Sequence, residues 1–167
     1  MNIEETNAFL KEFQNESNRA TAILGAAYLD EMVCDLISSF MIDDKGFINK
    51  SILGRSVTAI IDSFGKRVAL AYALGLLRES EKKDLDLIRK IRNLFAHGIK
   101  NLSFEAEQIK NRCYELQIAK DVLKGPLAKA RIVDNPRLRF ILAVGTIGNF
   151  VYYRARNVIR HREVFPP

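Results

Sequence analysis

The chain has 167 residues, of which 48% are hydrophobic and 28% charged. A chain this long buries roughly two thirds of its unfolded surface and folds without disulfide or metal staples. That composition fits one soluble domain over 1–167 and excludes collagen-like, low-complexity and disordered classes. The uncharged run 140–153 is too short to cross a bilayer. The acidic opening MNIEETNAFLKEF is unlike the basic and then apolar start of an export signal. Cys34 and Cys113 are far apart in helical patterns and are expected as buried free thiols in a reducing cytoplasm.

In chain order, a first helix is predicted over 4–15, with Ile3, Phe9, Leu10 and Phe13 as its apolar contacts. Ser17 or Asn18 caps a second, about six turns long, carrying Ala20, Ile23, Leu24, Ala27, Val33, Leu36, Ile37 and Phe40 at spacings of three and four. Asp43, Asp44, Gly46 and Gly54 then mark a loop with one short helical turn. A third helix is predicted over 57–64. The nearly charge-free run 68–77, VALAYALGLL, reads as a central helix with neighbours on several sides.

Ser80 is the expected N-cap of the next helix, with Glu81 and Asp84 in its first turn. Leu85, Ile88, Ile91 and Phe95 form one apolar stripe along it, and Asp86 and Lys90 make a favourable i,i+4 pair. Gly98 stands where a left-handed capping residue belongs. Ser103 opens a helix through Ile109, Cys113 and Leu116, and Gly125 with Pro126 breaks the chain. Asn135 followed by Pro136 is an N-cap with proline at the first helical position. The last helix uses Phe140, Ile141, Val144, Ile147, Gly148, Val151, Tyr152, Ala155 and Ile159 and ends in a solvated tail. Every convincing segment has the helical period, so the fold is expected to be all-α, a bundle of about six to seven helices.

Net charge is +6 but unevenly spread. Residues 1–44 carry two bases against nine acids, a net of −7, and 119–167 carry ten bases against three acids, a net of +7. Either the acidic first third docks on the basic last third, within a chain or across a dimer, or the basic part meets a polyanion.

The motif IRNLFAHG places Arg92 five residues before His97 near a helix end. Imidazole is a natural proton carrier near neutral pH, and guanidinium is a planar fork for phosphate. Five helical residues advance about 500°, so the two side chains do not stack, and His97 shares a face with Asn93 instead. The structural alternative has His97 capping carbonyls and Arg92 paired with a buried acid.

This closing motif resembles the R-x4-H signature of the HEPN superfamily, which consists of all-α domains that often dimerise. In its ribonuclease members, arginine and histidine from two protomers cleave RNA without metal. The resemblance would make Arg92, Asn93 and His97 catalytic, with Arg92 holding the phosphate, His97 moving protons and Asn93 orienting. A longer stretch, 63–97, resembles the mannitol operon repressor family, through Ser63, Phe64, Arg67, 70–76, Leu85, Ile88, Arg89, 91–93 and 95–97. That resemblance implies an all-helical, dimeric, cytoplasmic protein tied to transcriptional control, working through a protein partner or nucleic-acid phosphates.

In the last helix and tail, Arg137, Arg139, Arg154, Arg156, Arg160 and Arg162 flank an apolar middle. That layout suits phosphate contact better than base reading, and the alternative is helix ends and salt bridges. Phe150, Tyr152 and Tyr153 are expected in core or dimer packing, and Arg67 is expected to reach an acid such as Asp62. No cofactor cradle, zinc spacing or calcium loop is present in the sequence, so neither a cofactor nor a metal is expected.

Overall fold

The computed structural model describes residue 13 and residues 15–54, 59–98, 102–124 and 134–158. The predicted first helix except Phe13 and Asn15, the break at Gly125 and Pro126, and the tail with Ile159, Arg160 and Arg162 lie outside the described residues. Seven α-helices are present among the described residues, and no strand. They are α1 (Asn18–Phe40), α2 (Lys45–Phe47), α3 (Phe64–Ala73), α4 (Glu79–His97), α5 (Glu107–Glu115), α6 (Gln117–Val122) and α7 (Pro136–Asn157), with a π-helical turn over Ile48–Ile52 after α2. The all-α expectation holds, as does the loop with one short helical turn.

Two predicted caps start the two longest helices. The Ser17 hydroxyl accepts the Ala20 amide at 3.2 Å at the start of α1, and the Asn135 side chain accepts the Leu138 amide at 2.9 Å before Pro136. Each satisfies an amide that the first helical turn leaves without a backbone partner. α1 and α7 lie against each other and run in the same direction. Arg137 reaches Asn18 at their first turns, Gly25 faces Phe140, and Gly148 faces Tyr28 further along. α4 packs against α1, α3, α5, α6 and α7. Its stripe of Leu85, Ile88, Ile91 and Phe95 is fully buried, as the spacing predicts.

Other expectations are corrected. Residues 59–63 are not helical: the Ile60 and Ile61 amides donate to the Ser51 and Ile52 carbonyls, which ties them to the π-turn, so α3 starts only at Phe64. The run 68–77 is not a central helix. α3 ends at Ala73, Gly75 takes φ 72°, and Ala69, Tyr72 and Ala73 face solvent. A left-handed φ stops the helix where only glycine adopts it without strain.

Ser80 is not the N-cap of α4. Arg78 occupies that position, and its amide donates to the Glu81 carboxylate at 2.7 Å. Gly98 is extended, with φ −69° and ψ 122°, and not left-handed. What requires glycine there is close packing, since a Cβ would come within 2.5 Å of Leu102. The helix expected from Ser103 begins at Glu107 and divides at Leu116 into α5 and α6.

Two electrostatic expectations also change. Asp86 pairs with Lys82 at 3.1 Å and Arg89 at 3.5 Å, and not with Lys90. Arg67 is buried and grips Asp30 of α1 with one nitrogen, at 2.9 and 2.8 Å, while its other nitrogen donates to the Leu53 carbonyl at 2.8 Å. Asp62 pairs with Lys66 instead. Finally, of the core or dimer packing expected for Phe150 and Tyr153, the core is excluded within one chain, since both are exposed.

The α1–α7 contact gives a direct test of the packing. A Cβ on Gly148 would lie 2.4 Å from the Tyr28 ring, so Gly148→Ala forces the ring aside although alanine favours the helix. We expect the substitution to lower stability by about 1–3 kcal/mol in urea denaturation.

Candidate functional site

α4 directs its side chains to several places. Its first half holds two buried carboxylates, Glu81 and Asp84. Its last two turns present Lys90, Asn93, Leu94 and His97 to one side, at spacings of three, four and seven, which is one helical face. Arg92 and Ala96, four apart, look to another.

His97 is exposed and lines a cleft of about 680 Å³ between the end of α4 and α5. Lys90, Asn93, Leu102, Gln108 and Arg112 share its walls. Arg92 is partly buried and lines a different groove, of about 510 Å³, with Ile23, Ala27 and Asp30 of α1 and with Ser63 and Phe64 at the start of α3. Thus His97 and Asn93 come together and Arg92 stands apart, as the angular step between them requires. The Gly98 carbonyl beyond His97 accepts a hydrogen bond from Arg19. In the sequence Lys90 stands out only as an ion-pair partner for Asp86, and Arg112 does not stand out. The i, i+3, i+7 spacing of Lys90, Asn93 and His97 was a readable signal, whereas the arrival of Arg112 from α5 was not.

The arginines of α7 differ in what they touch. Arg139 is 6% exposed, and its guanidinium lies 4.7 Å from the Tyr114 ring centre, a cation–π contact. Arg137 donates to the Asn18 side chain at 2.9 Å and to the Glu16 carbonyl. Arg154 forks onto both oxygens of Glu81 at 2.8 Å and donates to the Leu76 carbonyl at 2.8 Å. Arg156 is exposed and lies 3.5 Å over the Tyr152 ring. Arg160 and Arg162 lie outside the described residues.

Neither thiol is set up as a nucleophile. Burial pushes the Cys113 thiol up to about 12 and the Cys34 thiol up to about 11, and a thiol that keeps its proton is a poor nucleophile. Cys113 is buried as expected, Cys34 only partly so. No group of side chains among the described residues has the makings of a metal site.

Glu81 shows how the fold uses Arg154. Burial alone would raise its carboxyl, but the hydrogen bonds from Arg154 and from the Arg78 amide outweigh burial and hold it below the ordinary value of 4.5. A carboxyl depressed by folding stabilises the fold above its ordinary pKa and loses that contribution as pH falls through the folded value. We therefore expect Glu81→Gln to cost roughly 2 kcal/mol at pH 7. The gap from the parent protein should narrow once pH drops below about 4.5 and close near the foot of the acid transition, as read by denaturant titrations at several pH values.

No family model matches the chain, and no curated protein matches it in sequence. In structure it is similar to MtlR as seen in the X-ray structure of the MtlR-HPr complex from Escherichia coli, at 17% identity and TM-score 0.70, covering 88% of this chain and 98% of that one. It is also similar to a possible transcriptional regulator, YggD, from Shigella flexneri 2a, at 16% identity and TM-score 0.68, covering 87% and 97%. The all-helical fold of the chain is therefore the fold of these MtlR-like proteins, as the resemblance over 63–97 led one to expect.

Proposed function

We propose that the chain is a transcriptional regulator or co-regulator of the mannitol operon repressor type, acting as a homodimer through a protein partner. One observation carries the reading: nearly the whole of this chain superposes on nearly the whole of MtlR, in a structure where MtlR is bound to HPr. A partner of the HPr kind is the natural first candidate for this chain. The exposed Phe150 and Tyr153 of α7 and Tyr72 of α3 supply apolar surface of the type that protein contacts use.

Protein contact is favoured over nucleic-acid contact because Arg137, Arg139 and Arg154 make contacts within the chain. Nucleic-acid binding through α7 would rest on Arg156 together with Arg160 and Arg162. A HEPN-type ribonuclease would need one chain's Arg92 to meet the His97 of a second, since within one chain the two line separate depressions. The reading places the protein in the cytoplasm, and no described helix is long and apolar enough to cross a membrane.

Light scattering on a sizing column, followed by calorimetric titration with HPr from the same genome, tests the reading. The expected result is a dimer that binds HPr with a Kd in the micromolar range, about −8 kcal/mol. A monomer with no heat of binding would refute it. Labelled duplex DNA and RNA go into the same sample. Retention that weakens with salt would shift the reading to nucleic acid, and RNA cleavage lost in His97→Ala would shift it to the ribonuclease.

A further inference from the structure

The cleft at the end of α4 has no carboxylate in its walls. We propose that it binds the phosphate group of a small phosphate monoester, held by Lys90, His97 and Arg112. This goes beyond the protein-partner reading and does not depend on it.

The donors converge from two helices. Lys90 and His97 stand two turns apart on one face of α4, with Asn93 between them, and Arg112 and Gln108 face them from α5. The side chains of Lys90 and His97 have no hydrogen-bond or ion-pair partner among the described residues. Arg112 donates one N–H to the Gln108 carbonyl and keeps the rest of its fork. Lys90 also borders a neighbouring depression containing Glu79, Asp86 and Glu115, yet it forms no ion pair there. Glu79 is taken by Lys83, Asp86 by Lys82 and Arg89, and Glu105 of the turn before α5 by Lys110. Asp84 in that depression is held by the Gln117 and Ile118 amides, Glu115 there makes no ion pair among the described residues, and the cleft itself is lined by basic side chains and no acid.

The shape narrows the class of anion. A phosphate group presents three terminal oxygens to donors from different directions, whereas a carboxylate presents two in one plane. The volume of about 680 Å³ falls within the roughly 300–1,000 Å³ of small-molecule sites, far more than a bare ion fills. Leu94 and Leu102 give the rest of the wall an apolar surface suited to an organic body. A nucleic-acid strand would require a track of cations leading away from the cleft, and the α7 residues Arg139 and Arg154 are engaged in the interior.

The chain has two histidines, His97 and His161, so imidazole-ring NMR on the whole protein reports the site directly, with His97→Asn assigning the signals. Glucose 6-phosphate, inorganic phosphate and glucose are titrated separately at constant ionic strength. We expect glucose 6-phosphate to move the His97 signals saturably, with half-saturation below about 1 mM, and glucose to leave them in place. Lys90→Gln and Arg112→Gln should each raise that midpoint by about tenfold or more. Lys90 is exposed on α4, so its variant reads binding without disturbing the fold. Equal affinity for inorganic phosphate would assign the free ion and overturn the monoester. An unmoved His97 signal at about 10 mM glucose 6-phosphate, a midpoint unchanged in Lys90→Gln, or equal movement of His161 would each overturn the site itself.

Discussion

Two buried carboxylates one turn apart on α4, Glu81 and Asp84, determine where the helices around it can lie. An ionised carboxylate taken out of water costs several kcal/mol unless its oxygens find strong donors in fixed positions. Glu81 finds the guanidinium of Arg154, 73 residues away, and the amide of Arg78. Asp84 finds the amides of Gln117 and Ile118, each at 2.8 Å. Burial pushes the Asp84 carboxyl above the ordinary aspartate value, and those two amides oppose the shift. The donors come from different helices, so one short stretch of α4 fixes both the last turns of α7 and the first turn of α6. α5 ends where α6 begins, so the wall that carries Arg112 toward His97 is positioned by the same pair.

That division of labour explains the chemistry along α4. The N-terminal half is structural, with its two buried acids, Glu81 and Asp84, met by donors from other helices. The C-terminal half keeps its polar groups for solvent: Lys90, Asn93 and His97 on one side, Arg92 on another. The basic charge of α7 is used to a large extent to hold the bundle together, most plainly in Arg139 against Tyr114 and Arg154 against Glu81. A helix rich in arginine is therefore a poor guide to a nucleic-acid surface until the partners of each guanidinium are known.

What could be read from the sequence was local. The stripe from Leu85 to Phe95 follows from the helical period, and the caps at Ser17 and Asn135 follow from side chains that reach amides three residues on. Arg92 and His97 parting to separate faces follows from the helical turn angle alone. The misread features depend on partners distant in sequence. Arg67 takes Asp30, 37 residues back, over the nearer Asp62. Residues 59–63 leave the helical conformation where the Ile60 and Ile61 amides are claimed by the π-turn. Gly98 is glycine because Leu102 crowds it, which its own φ does not betray. Nothing in local spacing announces that Arg112 faces His97, and so the cleft emerged only with the fold.

The most direct test of this account is amide hydrogen exchange at Gln117 and Ile118. The first amides of a helix ordinarily have no partner within it and exchange freely. If the Asp84 carboxylate holds α6 against α4, both should exchange at least about a hundredfold more slowly than in an unstructured chain. Free-chain rates at these two positions would mean that α6 is not tied to α4 by Asp84, and that the buried acids do not organise the bundle.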